Sequence, residues 1–267
     1  MIKIKTPEEL GRMRVSAGMA ATVRDSVAAE IKPGVTTQEL DEYARDLIRE
    51  LGGRSAFFGY RGFPGQICIS VNEEVVHGIG GARRIQVGDI VSADFGVYYD
   101  GFIGDTATTV MVGVSDPEVI RLVSVTEKAL EAAISKAVAG QRLSDISHAV
   151  EQVVTDAGLA VVRDFVGHGI GREMHEDPQI PNFGPPGRGP RLKPGMTLAL
   201  EPMVNMGRAE VEVLSDGWTV VTRDRKPSAH FEHTIAVQEG QAEVLSVANN
   251  VEKRKHSAGR NTEKCDK

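Results

Sequence analysis

Cysteine is nearly absent from this 267-residue chain: the two thiols, Cys68 and Cys265, lie far apart, one in an apolar run and one in a basic tail. That excludes a disulfide framework and leaves no Cys-x-x-Cys pair for redox chemistry or thiolate metal binding. Long apolar runs are missing too. No stretch approaches the roughly 18 residues of a membrane-spanning helix, and Met1 to Thr6 lacks the apolar segment of a signal peptide. A cytoplasmic protein without membrane contact is expected. Basic charge is scarce outside the C-terminus: residues 249–267 carry six Lys or Arg against three acids, leaving 25 basic against 34 acidic residues elsewhere, for a formal net charge of -6 overall. No basic face suggests nucleic-acid binding, and residues 247–267 read as a polar, disordered tail. There is also no Walker A loop and no Gly-x-Ser-x-Gly elbow.

What is present begins with helices. Thr6-Pro7-Glu8-Glu9 is a capping box with proline at the first helical position, and apolar residues from Leu10 to Ile31 follow at helical spacing. A long amphipathic helix should end near Lys32-Pro33-Gly34. A second runs from the Thr36-Thr37-Gln38-Glu39 start to Gly52-Gly53, and strands are expected over 66–71, 90–98 and 103–112. The order then repeats, with a helix from Ser115-Asp116-Pro117-Glu118 to about Ala139 and another from Ser144 to Ala157.

A shift of 106 residues lays Gly34 on Gly140, Ala44 on Val150 and Gly52 on Gly158. A shift of 107 lays Val87-Gly88-Asp89-Ile90-Val91-Ser92-Ala93-Asp94 on Pro194-Gly195-Met196-Thr197-Leu198-Ala199-Leu200-Glu201. The expected fold class is α+β: one domain over 1–246, built from two helix-helix-sheet halves, about 1–113 and 114–246, closing around a shared site.

The chemistry stands in apolar or glycine-rich surroundings: Asp94, Asp105, His168, Glu201 and Glu232. Carboxylates are rarely buried unless paired or metal-bound, and four together would repel one another. Two divalent cations would cancel that charge. Asp100-Gly101 predicts a two-residue hairpin that sets Gly96 opposite Asp105 and Ala107 opposite Asp94, so both acids share a face with Gly96 leaving room beside them. Gly167-His168-Gly169-Ile170-Gly171 suits tight turns and close approach around an imidazole donor. Glu232 shares a strand face with His230 and Thr234, and no Lys or Arg stands in its run or in that of Glu201 to form an ion pair. Oxygen donors with one imidazole fit Mn, Fe(II), Co or Zn, the equipment of hydrolysis.

These residues resemble the type I methionine aminopeptidases of the pita-bread fold over nearly the whole chain to about Leu245. The resemblance is carried by Val71-Asn72-Glu73-Glu74-Val75-Val76-His77-Gly78, Ala93-Asp94, Gly104-Asp105-Thr106, Gly167 to Arg172, His175-Glu176-Asp177-Pro178, Glu201-Pro202-Met203-Val204-Asn205 and Phe231-Glu232-His233-Thr234. It implies two pseudo-symmetric halves around a central antiparallel sheet, and removal of an initiator methionine that precedes a small residue. Asp94 would chelate one of two divalent ions (Co, Mn, Fe(II) or Zn), Asp105 and Glu232 would bridge, and His168 and Glu201 would complete the other shell. Glu201 would also shuttle the proton, His77 would contact the scissile amide, and His175 would stabilise the developing oxyanion.

The family's methionine pocket maps to Tyr60, Cys68 and Trp218, with Phe63 where Tyr is common, Phe57 where Cys is often seen and Met174 where a larger aromatic can occur. The implied partners are N-terminal Met peptides and nascent polypeptides, with transient ribosome association and a monomeric state. Xaa-Pro aminopeptidases or prolidases share the ligand set but usually carry a further amino-terminal domain. Non-catalytic pita-bread peptide binders tend to have lost ligands.

Overall fold

The computed structural model describes residues 1–248; the expected tail, apart from its first two residues, and Cys265 lie outside them. Four helices and fifteen strands follow in chain order: α1 (Pro7–Glu30), α2 (Thr37–Glu50), β1 (Arg54–Ser55), β2 (Cys68–Val71), β3 (Glu74–Val76), β4 (Ile90–Tyr99), β5 (Phe102–Met111), α3 (Pro117–Lys136), α4 (Leu143–Asp156), β6 (Ala160–Val161), β7 (Gly167–Gly169), β8 (Glu176–Ile180), β9 (Thr197–Leu200), β10 (Met203–Asn205), β11 (Val211–Val213), β12 (Val220–Thr222), β13 (Ser228–His230), β14 (Glu232–Ala236) and β15 (Glu243–Val244). The main antiparallel sheet runs β1-β4-β5-β14-β9-β7-β8, with β2 added to β4 and β15 to β14. This is the α+β arrangement that the sequence predicts.

Capping boxes at Thr6 and Thr36 start α1 and α2. The expected amphipathic α1 is instead buried on nearly every side through its middle, where Ser16, Ala17, Gly18, Met19, Ala20 and Ala21 are all covered. Small side chains let a helix lie close on a sheet, and α1 crosses β4 and β5 that way. The closest approach falls at Gly104, where a Cβ would stand 2.2 Å from the Ala17 Cα and 2.3 Å from the Ala17 nitrogen. Gly104→Ala should therefore push helix from sheet and cost about 3 kcal/mol in urea unfolding; a loss below about 0.5 kcal/mol would show that the contact yields.

The hairpin register is the predicted one, with Asp94 opposite Ala107 and Gly96 opposite Asp105. Asp100 and Gly101 supply the turn with φ of 48° and 84°, the left-handed pair that a two-residue hairpin requires. Ala93, Phe95 and Val97 face a core shared with α1 and α2, while Asp94 and Asp105 face the other way, into a cleft.

The repeated glycines do the same work twice. Gly34 donates its N–H to the Ile85 carbonyl at 2.8 Å and Gly140 donates to Leu192 at 3.0 Å. In return the Ile85 and Leu192 amides donate to Val35 and Gln141. One apolar cluster gathers residues of α1, α2 and β4; another gathers α3, α4 and β9. Between them β5 meets β14 along two residue pairs, Ala107 with Glu232 and Thr106 with His233. Thr234 Oγ1 accepts from the Asp105 amide and donates to its carbonyl across the same seam. β9 and β10 keep one register against β14 and β13, interrupted only around Glu201-Pro202 and Phe231, where the acids stand.

Candidate metal centre and substrate cleft

All five predicted ligands line one cleft of about 710 Å³ including its mouth. Asp94 comes from mid-β4, Asp105 from β5, His168 from β7, Glu201 from the break after β9 and Glu232 from the start of β14. The His168 Nε2 lies 3.4 Å from Glu201 Oε1 and 4.0 Å from Asp105 Oδ2. Its Nδ1 lies 2.9 Å from the Gly169 carbonyl, an acceptor that holds the proton on Nδ1 and leaves the Nε2 lone pair facing the acids.

Of the two uses the sequence allows the glycines around His168, tight turns and close approach, Gly167 and Gly169 serve close approach. β7 is a strand between β8 and β9, and a Cβ would stand 2.5 Å from the Ala199 carbonyl at Gly167 and 2.1 Å from the Asp177 carbonyl at Gly169. The room expected at Gly96 is likewise filled, because the Phe57 ring would lie 2.4 Å from a Cβ there.

Burial raises the pKa of Asp94, Asp105, Glu201 and Glu232, and mutual repulsion adds to the rise at Asp105, Glu201 and Glu232. The imidazoles of His168, His77 and His230 move the opposite way, to about 4, chiefly through burial. Asp94 Oδ1, Asp105 Oδ1 and Glu232 Oε1 are buried and accept no hydrogen bond. Orphaned carboxylate oxygens that converge with a neutral imidazole are the donor set of a divalent cation, so the residues present fit one.

Two overlapping groups have ligand atoms within 4.8 Å of one another: Asp105, His168 and Glu232, and Asp94, His230 and Glu232. His230 was placed by the sequence pattern on the face of Glu232 but given no role. Its signal was the alternation His-Phe-Glu on one strand.

Tyr60, Phe63, Cys68 and Trp218 line the same cleft, as do Phe57 and Met174. Ser55 Oγ accepts from the amides of Phe57 and Phe58 and so shapes the loop that carries Tyr60 and Phe63. Phe63 meets Trp218 edge to face at 5.2 Å. Cys68 opposes Asp94 in register, and burial pushes its thiol pKa up, so it acts as a small apolar wall.

His77 follows β3 with a left-handed backbone, φ 60°, and its ring stands edge-on to Phe165 at 5.4 Å and Trp218 at 6.4 Å. His175 stands at the mouth with its ring 4.4 Å from that of His168, and the Tyr60 hydroxyl lies 2.8 Å from its Nδ1. Desolvation and the nearby Arg61 guanidinium lower the His175 pKa. Among the described residues no helix is long and apolar enough to cross a membrane.

The chain matches the model of metallopeptidase family M24 over residues 11–239. It is 50% identical over 246 residues to methionine aminopeptidase 1 of Bacillus subtilis, covering 92% of this chain and 99% of that one. The crystal structure of the Thermotoga maritima methionine aminopeptidase superposes with a TM-score of 0.91 at 46% identity, over 92% of this chain and all of that one. A prolidase from Pyrococcus horikoshii superposes at 0.73 over 91% of this chain and 63% of its own, but at 19% identity the likeness is one of fold alone. With the whole cleft inside the matched region, this chain belongs to metallopeptidase family M24, beside its methionine aminopeptidases.

Proposed function

We propose that this protein is a methionine aminopeptidase that hydrolyses the bond after the initiator methionine of nascent polypeptides when the second residue is small. The observation that carries the reading is the convergence of four carboxylates, Asp105 and Glu232 buried and Asp94 and Glu201 half-buried, and His168 with an apolar cleft, in a chain 50% identical to a methionine aminopeptidase. Residues 1–246 would form the catalytic domain, working in the cytoplasm as a monomer that meets nascent chains, with transient contact to the ribosome.

Asp94, Asp105, His168, Glu201 and Glu232 would hold two divalent ions of the Mn, Fe(II), Co or Zn class. When bound, such ions polarise a carbonyl and acidify water enough for attack near neutral pH. The protein supplies the rest. Glu201 takes the proton of the attacking water and delivers it to the departing amine. Neutral His175 accepts the Tyr60 O–H at Nδ1 and donates from Nε2 to the carbonyl oxygen as it gains charge. His77 holds the scissile amide, and Tyr60, Phe63, Cys68 and Trp218 enclose a flexible thioether with aromatic edges and an apolar wall.

His175→Ala should lower kcat by about 10²-fold with metal content unchanged. Tyr60→Phe should cost about tenfold, since it removes only the hydroxyl that orients the imidazole. Loss of metal in His175→Ala would make that residue a ligand instead. The reading as a whole is tested by stripping the protein of metal, restoring single divalent ions, and assaying Met-Ala-Ser beside Xaa-Pro peptides. Release of Met supports it; cleavage of Xaa-Pro peptides alone would move the protein to a prolidase-like activity.

A further inference from the structure

The five expected ligands leave one buried donor unexplained. His230 ends β13 with 2% of its surface exposed and lines the same cleft. Its backbone is pinned to β5, donating its amide to Thr109 Oγ1 at 3.0 Å and accepting from that hydroxyl at 2.7 Å. Phe231 intervenes before Glu232, so strand alternation turns His230 and Glu232 to one side. His230 Nε2 lies 3.8 Å from Glu232 Oε2, too far for a hydrogen bond, while the Pro202 backbone carbonyl is the acceptor that faces the buried ring. The two groups of ligand atoms also mirror each other: each holds one aspartate and one histidine, and both use Glu232.

We infer that His230 donates its imidazole to the divalent ion held by Asp94 and Glu232, so that each of the two ions has a histidine of its own. The inference rests on the proposed two-ion reading of the cleft. An ion bound by carboxylates alone suits Mg or Mn, whereas an added imidazole moves preference toward Co and Zn. His230 therefore sets which metal the Asp94 side accepts.

The test uses the full-length protein freed of metal and titrated with Co(II) by calorimetry, together with proton NMR of the Co(II) form. Two exchangeable, paramagnetically shifted imidazole N–H signals are expected, one from His168 and one from His230. In His230→Gln one signal should vanish, and one of the two Co(II) affinities should fall at least about tenfold while the other holds. The same variant should narrow the preference for Co(II) over Mn(II) at the weakened site. A single shifted signal in the unmutated protein overturns the inference without any variant, even if His230→Gln fails to fold. Unchanged affinities in a folded His230→Gln also overturn it. Absence of any Co(II) binding by the unmutated protein overturns the two-ion reading itself, and the role of His230 with it.

Discussion

Glu201→Gln is expected to lower kcat for release of Met from Met-Ala-Ser by about 10³-fold, with the protein folded and still able to take up divalent ions. Glutamine keeps the shape of the side chain and an oxygen 3.4 Å from His168, but it cannot accept a proton. Asn182 already donates to the Glu201 carbonyl at 3.0 Å, so the backbone of this segment is held independently of the carboxylate. KM should change far less than kcat, because the residues proposed to hold the methionine side chain, Tyr60, Phe63, Cys68 and Trp218, are left unaltered. Activity within tenfold of the unmutated protein, at full metal content, would assign the proton transfer to another group, with His175 next in reach.

The second large effect is on stability. Saturating divalent metal at a thousand times its Kd should stabilise the fold by about 4 kcal/mol, on the order of 10 °C in Tm for a domain of this size. The sign of the pH dependence should then reverse with metal. In the cation-free protein the four carboxylates titrate above their unfolded values near 4, Asp94 at about 7. Between those values the native state binds more protons than the unfolded chain, so stability is greatest below about pH 4 from this source and is lost as pH rises through 7. With metal bound the ligands must be ionised, and stability from binding grows over the same range. Melting curves at pH 6 and pH 8, with chelator and with Mn(II), should therefore cross. Asp105→Asn, which removes one charge from the cluster, should raise the chelated Tm at pH 8 while abolishing activity. Parallel pH profiles with and without metal would mean that the acids are not repelling one another.

Much of this was legible in the residues, for identifiable reasons. Local chemistry told the truth about Thr6 and Thr36, because capping is settled within four residues, and about Asp100-Gly101, because a two-residue turn fixes the register of everything beside it. From that register came the shared face of Asp94 and Asp105. Longer-range packing was not legible. The small residues at the centre of α1 have helical spacing but do not reveal that a sheet lies on them at Gly104. Nor does a glycine at 96 reveal whether its space stays open or receives the ring of Phe57. The glycines beside His168 left turn and close approach both open, because glycine serves both purposes, and only the carbonyls of Ala199 and Asp177 decide between them. His230 went unassigned because a histidine on an apolar strand is ordinary until its neighbours across the cleft are known.

The seam between β5 and β14 is only two residue pairs wide, and Asp105 and Glu232 stand on its opposite sides. An ion shared by those carboxylates would rivet the two strands, and metal occupancy would then govern how often the middle of the sheet breathes. A cell short of metal would then hold a protein that is slower to act and also easier for a protease to open.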